Sequence, residues 1–165
     1  MVENTLSAIG RVTKKAVIGA LKGTGEKAQA ILETTADLVK VTIEGVDDFT
    51  GAIEKSVGDI VSGAIEAATE VGGDLFWTIK FTVYGIVKTG SDVGADVAKT
   101  AVAATKGAIK AAAKAGTDIS GATKEALTGA IEAGDEIGTD ASKAVRDALT
   151  TSIKGAKDVI TPPPK

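Results

Sequence analysis

Three observations predict an all-α fold for this chain of 165 residues. Every eleventh residue from Arg11 to Lys154 lies on one line, and twelve of those fourteen residues are charged, with Trp77 and Gly121 the exceptions. Apolar residues recur at steps of three, four and four within each eleven, on lines running through Ile60, Val71 and Val93 or through Ile53, Leu75, Ile86 and Val97. All three Pro lie at 162–164, which leaves positions 1–161 free of the strongest helix breaker. Eleven residues in three turns is about 3.67 per turn, so the apolar lines share one side of an α-helix and the charged lines lie opposite. Period-two alternation is absent, which argues against strands. The expectation is long amphipathic helices over residues 1–161, packed as a coiled-coil-like homo-oligomeric bundle or tube. Residues 162–165 form a Pro-rich, solvated tail.

Taken in order, the N-terminal MVENTLSAIGRVTKK has Glu3 ahead of a short apolar patch and lacks the apolar run of a signal peptide, so a cytoplasmic protein is expected. Twenty-two-residue units then stack: GALK (19–22), VTIE (41–44), GAIE (63–66), GIVK (85–88), GAIK (107–110), GAIE (129–132) and TSIK (151–154). Between them fall GGDL (72–75), GADV (94–97), GTDI (116–119) and GTDA (138–141). An ideal helix drifts by roughly 20° per eleven residues, so only a strict eleven-residue period keeps the stripe on one face. Continuous helices, hinged near 22–27 and 71–74, preserve that phase naturally. The competing arrangement is a set of short helices, each ended by the Gly of a Gly-Gly-Asp or Gly-Thr-Asp triplet and restarted by its Asp.

Two further features bear on function. Gly72, Gly94, Gly116 and Gly138 recur within the apolar arc, where small residues let helix backbones approach closely, so they are candidate self-association residues. Gly63, Gly85, Gly107 and Gly129 recur equally but at the polar edge. The segment LFWTIKFTVYGIV (75–87) breaks the charge rule twice, at Trp77 and Phe81, and holds four of the five aromatics. A helix apolar on all sides is normally buried on all sides. The segment spans only about 20 Å, too short to cross a bilayer. Its Leu75, Phe76, Trp77, Ile79, Phe81 and Tyr84 are candidate lipid- or partner-binding residues, and a contact within the protein's own core is the competing reading.

The composition narrows the chemistry. Net charge is −3, so bulk charge attracts neither nucleic acid nor an anionic membrane. Cys and His are both absent, which removes thiol nucleophiles, disulfides and imidazole ligands. GTGEKA (23–28) resembles a phosphate-loop fragment but fits neither nucleotide-binding spacing. No acid has a recognisable base or oxyanion donor beside it, so neither an enzyme nor a metal or cofactor site is expected.

VAKTAVAATKGAIKAAAKAGTD (97–118) and ATKEALTGAIEAGDEIG (122–138) resemble the eleven-residue amphipathic repeats of synucleins and perilipins. The twenty-two-residue pairing is similar to that of exchangeable apolipoproteins, and the Thr-Lys-Glu-Ala usage to that of late-embryogenesis-abundant proteins. The likeness covers most of the chain and is one of repeat style. It implies lipid-surface binding or folding on demand. The chain departs from those families in its mean hydropathy of +0.17, in lysines that flank one side alone (Lys14, Lys80, Lys124, Lys157), and in glycines within the contact face. These departures favour eleven-residue (hendecad) coiled coils that self-associate. The functional expectation is a non-enzymatic, self-assembling scaffold, peripheral to a membrane or lipid body. It would attach to that surface or to a larger partner complex through residues 75–87. The alternatives are a monomeric lipid-surface coat that folds on lipid, and an oligomeric tube carrying a lipid or quinone-like molecule to a partner enzyme.

Overall fold

A computed structural model describes residues 8–22, 27–43 and 51–160, and among these there is helix and no strand. The helices are α1 (Ala8–Lys22), α2 (Lys27–Ile43), α3 (Gly51–Val71), α4 (Leu75–Asp92), α5 (Val97–Lys114), α6 (Ile119–Ile137), α7 (Thr139–Ser152) and the single turn α8 (Ala156–Ile160). The helix phase predicted from the apolar lines is therefore present, but continuous helices are not. The units that begin at α4 and α5 are each one helix plus one turn, twenty-two residues in all, whereas α7 follows α6 after a single residue and ends at Ser152.

The turns show why. Gly72, Gly94 and Gly116 adopt positive φ of 71°, 85° and 72°, a left-handed conformation that costs glycine least. The amides after them reach back five residues, Gly73 to the Ala68 carbonyl at 2.9 Å, Ala95 to Gly90 at 2.8 Å and Thr117 to Ala112 at 3.1 Å. That is the left-handed helix stop that satisfies the last carbonyls. Two residues after each glycine an Asp restarts the helix. Asp74 accepts from the Trp77 amide at 3.0 Å, Asp96 from Lys99 at 2.9 Å and Asp118 from Ser120 at 3.1 Å. The fourth triplet ends α6 at Gly138, and α7 then begins without a side-chain cap. A methyl at Gly72, Gly94, Gly116 or Gly138 would meet nothing within 4 Å, so backbone conformation accounts for their recurrence, not contact. The placement of these four inside a helix contact face is thereby corrected. The hinge expected at 71–74 is a full helix end, and residues 23–26 and 162–165 lie outside the described residues.

Each helix packs on its neighbours in sequence and on the helices two before and two after it, and on no others. Odd-numbered helices thus form one layer and even-numbered helices the other. This is a two-layer helical-repeat array, in which every unit contacts only near neighbours. Short turns reverse consecutive helices, so next-but-one helices run parallel, and glycine sets their separation. A methyl on Gly63 would sit 2.4 Å from the Gly10 carbonyl oxygen, and one on Gly129 would sit 2.3 Å from that of Lys80. A methyl on Gly107 would sit 2.9 Å from the Gly58 Cα, and one on Gly85 would sit 3.2 Å from the Thr35 side chain. These are the glycines placed by sequence at the polar edge. The equivalent positions on the first two helices agree with this geometry: Gly19 has nothing within 4 Å, and Val41 is 87% exposed, and among the described residues no earlier helix covers them.

Between the layers lies a main core, and a smaller cluster of Val17, Ala64 and Ala67 joins α1 to α3. Val57, Ile60, Val61 and Ile65 of α3 meet Ile79, Val83, Ile86 and Val87 of α4, all at most 1% exposed. Farther along, Ala101, Ala104 and Ala108 of α5 face Ala122, Ala126 and Leu127 of α6, with Val145 and Leu149 closing the end. Small side chains on both layers allow the close approach that the glycines require.

Candidate interaction surfaces

Helix α4 sits mid-array, with α2 and α6 beside it and α3 and α5 across the core. That position explains its apolar character on nearly every side. Ile79 is fully buried, and Leu75 and Phe76 are half-buried. The Phe76 ring lies against α6, where a methyl on Gly121 would approach it to 2.8 Å. Trp77, Phe81 and Tyr84 are half-buried on the outward side. The Trp77 and Phe81 rings pack at 4.9 Å with a 50° tilt, and the Lys80 ammonium stands 5.7 Å from the Phe81 centroid. Trp77 also walls an open cleft of about 750 Å³ with Ile18 and Leu21 of α1 and Val71 of α3. The six candidate residues therefore divide into an inward set and an outward aromatic set. Among the described residues no helix is long and apolar enough to cross a membrane.

Polar ties lock neighbouring helices. The Tyr84 hydroxyl donates to Glu136, and Lys80 Nζ lies 3.5 Å from Glu132, joining α4 to α6. Lys14 Nζ reaches Glu66 at 2.9 Å and Glu70 at 3.6 Å, joining α1 to α3; the Glu66 bond holds its ammonium above the usual lysine range. Between α6 and α7, the Ser142 hydroxyl donates to Asp135 at 2.5 Å and Arg146 Nη2 at 2.9 Å, which holds that carboxyl below the usual range.

Burial, reinforced by the bond to Glu136, pushes the Tyr84 phenol up to about 12. Because the folded value lies above the ordinary one of about 10, the contribution of this group to stability is complete below pH ~10 and is lost as pH rises through about 12. The chain has one Tyr, so the ultraviolet phenolate band reports this group alone. We expect a titration midpoint near 12 that falls toward 10 in Glu136→Gln. An ordinary midpoint in the wild type would show that the Tyr84–Glu136 bond does not form.

The layering sorts the eleven-residue charged line by sign. Odd-numbered helices return every forty-four residues, and their register holds Arg11, Lys22, Lys55, Glu66, Lys99, Lys110, Lys143 and Lys154: seven of eight are basic, and Glu66 is already bonded to Lys14, while the positions four further on are mixed, Lys15 and Lys114 against Asp59, Glu70 and Asp147. Helices α1 and α5 each carry four basic residues and no acid. On the even layer the same outward positions hold Glu33, Trp77, Lys88, Gly121 and Glu132, followed by Asp37, Phe81, Asp92, Glu125 and Glu136. One broad face is basic; the opposite face is acidic with Trp77 and Phe81 in its middle. The net charge of −3 hides this separation. On this face, α3 and α5 leave a groove of about 760 Å³ floored by Gly58, Ser62, Ile65 and Gly107, with Lys106, Lys110 and Lys114 along its α5 side and Glu54, Lys55, Asp59 and Glu66 along its α3 side. Among the described residues, Lys99, Lys106, Lys110 and Lys114 form no ion pair, whereas Lys14, Lys55, Lys80 and Lys88 do. Sign alternation every forty-four residues is legible in the sequence once each twenty-two is known to be one helix.

Compared with known protein families, characterised proteins and solved structures, the chain matches none.

Proposed function

We propose that this chain is a non-enzymatic, self-associating helical-repeat scaffold that works through its broad outer faces. The observation that carries the reading is the placement of the repeat's most regular positions. They lie on two opposite surfaces of unlike charge. The outward aromatic set, Trp77, Phe81 and Tyr84, is the proposed attachment patch, because it is the uncharged centre of one of those faces. Light scattering with circular dichroism tests this directly. A helical oligomer is expected in plain buffer. A coil-like monomer that gains helix only with vesicles would replace this reading with a lipid-surface coat, the behaviour its repeats share with synucleins and perilipins.

A further inference from the structure

Resting on the self-association reading, we propose that copies of this chain stack face to face, the basic odd-layer face of one copy seated on the acidic even-layer face of the next. Charge complementarity carries the argument. Nine exposed basic residues lie on α1, α3, α5 and α7 (Arg11, Lys15, Lys22, Lys55, Lys99, Lys106, Lys110, Lys114, Lys143) against four exposed acids (Glu54, Glu70, Asp140, Asp147). On α2, α4 and α6 the balance reverses: Glu33, Asp37, Asp92, Glu132, Asp135 and Glu136 are exposed against Lys40 and Lys124. Unlike patches on opposite sides of one molecule define a heterologous contact. Such a contact does not close after two copies, so assembly is an open stack that lengthens with concentration.

The middle of the contact is also matched. Trp77 and Phe81 interrupt the acidic face where lysine stems of the next copy's α5 would lie. A lysine ammonium over an aromatic face is attractive, and Lys80 over Phe81 already shows that geometry within one copy at 5.7 Å. The groove between α3 and α5, floored by glycine and serine, leaves room for the protruding rings. Two layers of helices that use glycine for close approach inside the molecule thus present large side chains on one outer face and a furrow on the other.

The test uses the full chain and sedimentation velocity over a range of concentration and salt. At low ionic strength the wild type should form a concentration-dependent series. The association constant should fall at least about tenfold as salt rises from about 0.02 to 0.5 M, since screening shortens from tens of ångströms to a few. Two variants follow: Lys99→Glu with Lys106→Glu and Lys110→Glu on one face, and Glu33→Lys with Asp37→Lys and Glu125→Lys on the other. Each alone should remain monomeric, and an equimolar mixture should assemble again, because all-acidic and all-basic copies then alternate. Oligomers that ignore both salt and charge reversal would overturn the stacking mode and leave self-association standing. A wild type that is monomeric at every salt concentration would overturn both. A monomer that instead binds phosphatidylserine vesicles through Lys99, Lys106 and Lys110 would assign the basic face to an anionic surface. Should either reversed variant lose helix, the salt dependence of the wild type decides alone.

Discussion

Gly63→Ala and Gly129→Ala should each destabilise the protein by about 3 kcal/mol or more. Overpacking a fitted interior costs about 1–3 kcal/mol when side chains can shift. Here the added methyl would lie 2.4 Å from the Gly10 carbonyl oxygen or 2.3 Å from that of Lys80, and a backbone oxygen in a helix has no rotamer with which to retreat. The neighbouring helix must move as a whole, and with it the parallel contact that spaces the layer. Gly19→Ala is the matched control. It occupies the same repeat position on α1, is helical and exposed, and has nothing within 4 Å. It should therefore stabilise the protein by about 0.5–1 kcal/mol through helix propensity. Urea unfolding followed by circular dichroism separates the two. Like effects at positions 19 and 63 would mean that α1 and α3 do not cross at glycine.

The second large effect is expected at the aromatic pair. Trp77→Lys with Phe81→Asp restores the charges the eleven-residue rule calls for, yet both rings are half-buried and packed on one another at 4.9 Å. Removing a fully buried aromatic costs about 3–5 kcal/mol, so two half-buried ones should cost about 2–4 kcal/mol together. The variant should remain helical with a lower unfolding midpoint and should lose attachment and assembly. Trp77→Leu with Phe81→Leu separates the causes, since it keeps apolar bulk and removes the ring faces. It should keep most of the stability and still weaken assembly. If the leucine pair assembles like the wild type, the rings serve the fold alone, and the attachment patch proposed for Trp77, Phe81 and Tyr84 is wrong.

These two tests fall on opposite sides of what could be read in advance. The aromatic exception at Trp77 and Phe81 was plain in the sequence, because a single repeat broke a rule held over the rest of the chain. The recurring glycines are visible too, but the set placed in the contact face proves to be the helix stops of the competing arrangement, and the set left at the polar edge makes the close contacts. Gly72, Gly94 and Gly116 appear to lie in the apolar arc only if the helix runs through them, whereas they stop it with positive φ. Gly63 and Gly129 appear to lie at a polar edge only if no second helix of the same layer passes there.

By itself the sequence determined that the chain is helical, which side of each helix is apolar, where the cap-forming triplets fall, and which segment departs from the pattern. All of these depend on residues within a turn or two of one another. What only the tertiary structure decided is that the chain reverses after each helix into two layers, at intervals of twenty-two residues from α4 to α6. The local pattern is blind to that choice for a geometrical reason. Helices α4 and α5 are each 18 residues, which is five full turns at 3.6 residues per turn, so each starts and ends on the same face. A four-residue turn completes the twenty-two, and the eleven-residue phase survives the reversal as it would survive in an unbroken helix. The apolar stripe is likewise indifferent to whether its partner is another layer of the same chain or another copy. Only the folded arrangement separates odd helices from even ones, and with them the basic residues of the charged line from most of its acids.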